Sequence, residues 1–263
     1  MFTALHRGGS GSPMVLLHGF TDTWRTWELV LPALERSHDV LAPTLPGHAG
    51  GPPLDGEVSD TAMADALERM MDDAGFGTAH IVGNSLGGYL ALKLAARGRA
   101  DSVVALAPAG GWALGDPAFR ETQNHFTTMK ELLAQAVPHA EAIVATDAGR
   151  RRATEHYSVN YEHLSPELLA HQMRGAYACE ATLPLVAYSA EHGWHLDPSH
   201  IECPVRVVWG TEDRLLEWPR AALRYRDEWL PHADWVELDG VGHCPQLDVP
   251  LETAQLVLGF TSG

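Results

Sequence analysis

Ala79-His80-Ile81-Val82-Gly83-Asn84-Ser85-Leu86-Gly87-Gly88 is the stretch that decides the fold. Ala79 to Gly83 reads as a short buried strand, and Leu86 to Arg97 reads as an apolar helix stopped by Gly98. Between them stands G-x-S-x-G, a pattern that fits a sharp strand-to-helix turn with a serine at its tip. Gly83 and Gly87 flank the serine because a Cβ at either place would collide with the neighbouring strand or helix. The helix N-terminus beneath the turn adds partial positive charge where an oxyanion would develop. The plainer reading is a glycine-rich turn with an ordinary serine. A strand before and a helix after favour a nucleophile.

The alternation continues on both sides. Met14 to Leu17, Val40 to Ala42, Val103 to Leu106, Val205 to Trp209 and Trp235 to Leu238 read as strands. Helices are expected over Thr23 to Arg36, Asp60 to Asp73 (with Asp60 as N-cap), Pro219 to Trp229 and Pro250 to Phe260. Such an order implies an α/β fold: a mostly parallel central sheet with helices on both faces. From about Gly111 to His195 the strands stop. Helices are expected there over Pro117 to Val137, Ala148 to Tyr157, and Pro166 to Cys179 with Ser165 as N-cap. The expected division is a core of residues 1–110 and 196–263 with a helical cap over 111–195.

A serine hydroxyl is a weak nucleophile at neutral pH and needs a base. Of the 15 histidines, His243 stands out. It follows the last expected strand in Gly240-Val241-Gly242-His243-Cys244-Pro245, and loops after strands gather at the carboxyl edge that also carries Ser85. Asp213, in Trp209-Gly210-Thr211-Glu212-Asp213, follows the preceding strand and reaches the same edge. It is the expected orienting acid, with Glu212 as the nearest rival and Glu217 next. The backbone N–H groups of Leu86 and Phe20 are the expected oxyanion-hole donors. His18 looks catalytic, but no second base is needed, so a role in shaping its loop is expected. Phe119, Phe126 and Leu133 in the insertion, with Trp24 at the rim, are expected to line an apolar substrate pocket.

With 18 basic and 34 acidic residues the chain carries a formal charge of −16, which disfavours a nucleic-acid partner. No apolar run reaches the ~18 residues of a membrane span. Three widely spaced cysteines suggest neither a disulfide framework nor a zinc knuckle, and a cytoplasmic setting is expected. His192, His195 and His200, with Asp197 between them, fit no strong metal motif, so no metal and no cofactor are expected. Nothing in the sequence sets the oligomeric state.

Four segments together resemble the α/β-hydrolase superfamily, in its serine-dependent, carboxylesterase-like group with a helical cap. They are Val15-Leu16-Leu17-His18-Gly19-Phe20, Ala42-Pro43-Thr44-Leu45-Pro46-Gly47-His48, Gly83 to Gly88, and Val208 to Asp213 with Gly242-His243. Thr44 stands where members often carry Asp. The resemblance implies that the first of the usual eight strands is missing or reduced to Phe2 to Leu5. It also implies a Ser-Asp-His triad cleaving a small carboxylic ester through an acyl-enzyme. Related dehalogenases and epoxide hydrolases place aspartate at the elbow, so Ser85 argues against both. Hydrolases that cut C–C bonds of ring-cleavage products, and non-catalytic ligand-binding relatives, are the alternatives. The former tend to carry extra glycines where this chain has Phe20-Thr21-Asp22.

Overall fold

A computed structural model describes residues 1–54, 56 and 58–261; Asp55, Glu57 and the last two residues of the expected core, Ser262 and Gly263, lie outside the described residues. Seven strands form one sheet: β1 (Leu5–Gly9), β2 (Ser12–Leu17), β3 (His38–Pro43), β4 (Ala79–Asn84), β5 (Ala100–Leu106), β6 (Val205–Gly210) and β7 (Asp234–Leu238). Their order is β1-β3-β2-β4-β5-β6-β7. All neighbours run parallel except β1, which pairs antiparallel with β3, Leu5 opposite Pro43. Seven strands are one fewer than the usual eight, in keeping with the expected loss of the first; β1 itself, the antiparallel edge strand, runs over Leu5–Gly9. Its polar residues, on an exposed edge, give no apolar alternation to read.

The helices are α1 (Leu31–Leu34), α2 (Asp60–Asp73), α3 (Leu86–Ala95), α4 (Pro117–Ala136), α5 (Ala140–Val144), α6 (Asp147–Thr154), α7 (Pro166–Ala178), α8 (Thr182–His192), α9 (Pro245–Asp248) and α10 (Pro250–Thr261). Adjacent strand residues point to opposite faces, so the pleat divides the core in two. Val15, Leu17, Ile81, Val103 and Val207 pack with α2 and α3 on one side. Met14, Leu16, Val82, Val104 and Val208 pack with α1 and α10 on the other.

Three local expectations are corrected. The helix expected over Thr23 to Arg36 is a tight 3₁₀ turn, Trp24–Trp27, followed by α1, which restarts with Pro32 in its first turn; proline cannot donate within a continuing helix. The N-cap of α2 is Ser59, whose side chain accepts from Ala62 N, so Asp60 lies one step inside. The stretch Pro219 to Trp229 is a short 3₁₀ turn and a single π turn.

Helices α4 to α8 all lie between β5 and β6. Part of this insertion has its own apolar core, in which Ala140, Val144, Leu164, Leu168 and Leu169 pack against Cys244 and Leu247 of the segment around α9. The insertion thus rests on the loop that carries His243.

Candidate active site

Ser85 sits between β4 and α3 with φ 54° and ψ −117°, a conformation rare for a residue with a side chain. Its N–H donates to Leu106 O at 2.9 Å, and its carbonyl accepts from Tyr89 N and Ala109 N, both at 3.0 Å. These bonds hold the strained turn in place. The flanking glycines are required by space. A Cβ at Gly83 would lie 2.1 Å from Gly87 O, and one at Gly87 would lie 2.1 Å from Leu17 O.

His243 Nδ1 lies 2.8 Å from Asp213 Oδ2. The two residues are 2% and 3% exposed, so the pair is shielded from water. Asp213 Oδ1 accepts from Leu215 N at 2.9 Å and Leu216 N at 2.8 Å. With three bonds accepted, the carboxylate directs the Nδ1 proton toward itself and leaves the lone pair on Nε2. Nε2 is buried and has no hydrogen-bond partner among the described residues. Asp213 reaches His243 because the end of β6 and the histidine loop are almost in contact. A Cβ at Gly210 would lie 2.1 Å from Val241 O, and Glu212 N donates to that carbonyl at 2.9 Å. Glu212 itself turns outward toward Arg214.

A set of buried groups that sequence reasoning missed fixes the histidine loop. Asn84, inside the elbow, donates from Nδ2 to His243 O at 2.9 Å and to Leu106 O at 3.2 Å. Its Oδ1 accepts from Gln246 Nε2 at 3.1 Å and from the Cys244 thiol at 3.3 Å. Asp248, 3% exposed, accepts from Ser158 Oγ, from Val159 N and Asn160 N at 2.8 Å, and from Gly242 N at 2.5 Å. One carboxylate therefore bridges the insertion to the residue before His243. Tyr157 O accepts from Cys244 N at 2.9 Å and adds a second tie. The available sequence signal was an apolar-flanked Asp and Gln just after His243.

The loop after β2 is shaped by its own polar groups. His18 Nδ1 pairs with Gly19 O at 2.7 Å, and Nε2 accepts from Leu45 N at 2.9 Å. Burial, reinforced by neighbouring His48, holds the imidazole pKa well below its usual value, so it stays neutral and structural. Thr21, next along, adopts φ 67° and turns the chain, while Asp22 N donates to Gly19 O. Asp22 reaches the insertion, its Oδ2 accepting from Gln172 Nε2 of α7 at 3.1 Å. Burial pushes the Asp22 pKa up to about 6, although its hydrogen bonds oppose that.

Phe20, Ser85 and Leu86 share a cavity with Trp112, Phe119, Phe126, Leu185 and Trp194. Its free volume is about 50 Å³. Phe119 stacks on Trp112 at 5.5 Å, and Phe126 meets Phe20 edge-on at 4.7 Å. Two expected pocket residues lie elsewhere. Trp24 stacks on His6 of β1 at 5.0 Å and donates from Nε1 to Thr3 Oγ1 at 2.7 Å, so it secures the edge strand. Leu133 is half-buried farther along α4 and does not line the cavity. Among the described residues no group of three His, Cys, Asp or Glu side chains is arranged to hold a metal, and no helix is long and apolar enough to cross a membrane.

A sequence model described as the alpha/beta hydrolase family matches residues 14–256, from β2 into α10. The chain belongs to this family. Among family relatives, the epoxide hydrolase EphH of Mycobacterium tuberculosis is 32% identical over 203 residues, covering 77% of this chain and 95% of that one. The pimeloyl-[acyl-carrier protein] methyl ester esterase of Aromatoleum aromaticum is 29% identical over 271 residues, covering 95% and 98%. The carboxylesterase CesB (YbfK) of Bacillus subtilis superposes with a TM-score of 0.73 at 18% identity, covering 98% of this chain and 87% of that one. That likeness speaks for the alpha/beta hydrolase fold alone.

Proposed function

We propose that the protein is a serine hydrolase that cleaves small carboxylic esters with short acyl chains through an acyl-enzyme. The observation that carries this reading is the strained Ser85 opening on an apolar cavity, together with a buried Asp213–His243 pair whose Nε2 is left free. In this reading Ser85 Oγ attacks the ester carbonyl as His243 Nε2 takes its proton, and the amides of Phe20 and Leu86 hold the oxyanion. His243 then protonates the departing alcohol, and water activated by the same nitrogen releases the acid. No metal or cofactor enters the scheme.

A serine at the elbow fits acyl transfer better than epoxide opening. Attack of Ser85 on an epoxide carbon would leave an ether, which has no carbonyl for water to attack. The cavity supports a short acyl group. One water-sized group needs ~10–15 Å³ on the same measure as the free volume of about 50 Å³. That leaves space for about three to five heavy-atom groups in all, the carbonyl included. The three cysteines, all free, support a reducing, cytoplasmic setting.

The test is a series of p-nitrophenyl esters from acetate to octanoate, run with wild type and Ser85→Ala. Turnover should depend on Ser85 by roughly 10⁴ or more, with normal folding of the variant and no effect of chelators. Retention of a tenth of the wild-type rate by Ser85→Ala would reject the reading.

A further inference from the structure

Most of the side chains that line the cavity are apolar. Besides Ser85, the lining side chains that carry hydroxyl or amide groups are Thr122, Gln123 and Ser189. Thr122 spends its hydroxyl proton on Ala118 O at 3.1 Å, within its own helix. Ser189, on α8, spends its proton on Val186 O at 2.9 Å and accepts from Gln123 Nε2, on α4, at 3.1 Å. Because the Ser189 proton is committed, the amide atom facing it must be the nitrogen, which fixes the orientation of Gln123. One N–H and the whole of Oε1 of Gln123 have no hydrogen-bond partner among the described residues. Gln123 lines the cavity, so a bare alkyl chain packed against it would offer that amide no partner, a mismatch that discriminates between substrates.

We infer that Gln123 is a specificity-determining residue that selects short acyl groups bearing a hydroxyl. A hydroxyl can accept from the free N–H or donate to Oε1, so it satisfies the amide from either side. A ketone can only accept. The inference rests on the ester reading above and deepens it to a class of acid: a short hydroxyacyl ester rather than a plain alkanoate.

The experiment compares kcat/KM for matched p-nitrophenyl esters: butanoate against 3-hydroxybutanoate, and pentanoate against 3-hydroxypentanoate and 4-oxopentanoate. Wild type should favour a hydroxyacyl ester over its alkyl counterpart by about tenfold or more, with the oxo ester between them. Gln123→Met, which keeps the length of the side chain, should bring that ratio to within about twofold of unity, and Gln123→Glu, which retains an acceptor, should preserve a preference for the hydroxyl. Alkyl esters equal to or better than hydroxyacyl esters in wild type would overturn the inference without needing any variant. So would a hydroxyl preference that survives Gln123→Met. Esters that are turned over only with Ser85 intact, yet show no such preference, would leave the ester reading standing and this inference rejected. Absence of Ser85-dependent turnover on every ester would reject both.

Discussion

Asp248→Asn offers a sharp test of how the base is held. The amide keeps one carbonyl oxygen, which can stay on Ser158 Oγ, Val159 N and Asn160 N. Its NH₂ then faces Gly242 N–H, which the native carboxylate accepts at 2.5 Å. A charge-assisted bond becomes a donor–donor contact beside a buried N–H. Hydrogen bonds to charged groups contribute about 1.5–3 kcal/mol and a stranded buried donor costs about 1–3 kcal/mol; the two overlap in part, so a net loss of about 2–4 kcal/mol is expected. At roughly 2–4 °C per kcal/mol for a domain of this size, Tm should fall by about 5–15 °C. The space beside Gly242 is limited, since an added Cβ there would lie 3.0 Å from Tyr157 O and 3.2 Å from Ser158 Cα. Displacement of the loop should therefore pass to His243. Misplacement of a catalytic group by about 1 Å can cost 10²-fold, so kcat on a short ester should drop about ten- to a hundredfold while KM changes little. Calorimetry and steady-state kinetics, both run well below the variant's Tm, measure the two effects separately. A variant within about 1 °C of wild type in Tm would refute the bonding argument. A lowered Tm with full kcat would show that Asp248 holds the fold without positioning the base.

Other expectations follow from the same site. Asp213→Asn should lower kcat by about 10³- to 10⁴-fold, since the imidazole loses its tautomer and the stabilisation of its charged form, whereas outward-facing Glu212→Gln should cost far less; reversal of that order would assign the acid to Glu212. Asp22 has a folded pKa of about 6, above its usual value, so the folded state binds the extra proton and its contribution to stability declines as pH rises from about 4 to 6. Asp22→Asn lacks that decline, so the Tm difference, variant minus wild type, should grow between pH 4 and pH 7; a flat or shrinking difference in thermal melts would contradict the raised pKa. Phe126→Ala removes the ring that meets Phe20 and should move the preferred acyl length upward by two or three carbons in the p-nitrophenyl series, an unchanged optimum arguing that the chain lies elsewhere.

The parts of the fold that rest on local chemistry were legible in the sequence. The elbow could be read because its strand, its two glycines and its helix are contiguous. The nearest misreadings share a cause. β1 carries His6, Arg7 and two glycines on an exposed edge, so no hydrophobic pattern announces it. Trp24 is expected at the pocket rim, but His6 of that edge strand stacks on its ring and Thr3 accepts from its Nε1. Asn84, Gln246 and Asp248 were missed for a different reason. Their partners stand far off in sequence, such as Asn84 with His243 and Asp248 with Ser158. Spacing rules carry no information about such pairings. Gln123 is one more polar residue on an amphipathic helix until Ser189 is brought against it.

The placement of the insertion has a consequence for how this protein can change over evolutionary time. β5 and β6 are hydrogen-bonded neighbours, Val103 opposite Val205 and Leu106 opposite Val208. The stretch between them, about a hundred residues, is topologically a single crossover. Closure entropy grows only with the logarithm of length, so the sheet loses only about 1.4 kcal/mol relative to a crossover of ~20 residues. Lineages can thus lengthen, shorten or rebuild this segment, and with it the far wall of the cavity, without renegotiating the elbow. The freedom has a boundary, because Asp22, Asn160 and Tyr157 lie where the replaceable segment meets the loop after β2 and the loop that carries His243. Homologues that diverge in substrate should vary around Gln123 and Phe126 while keeping that seam.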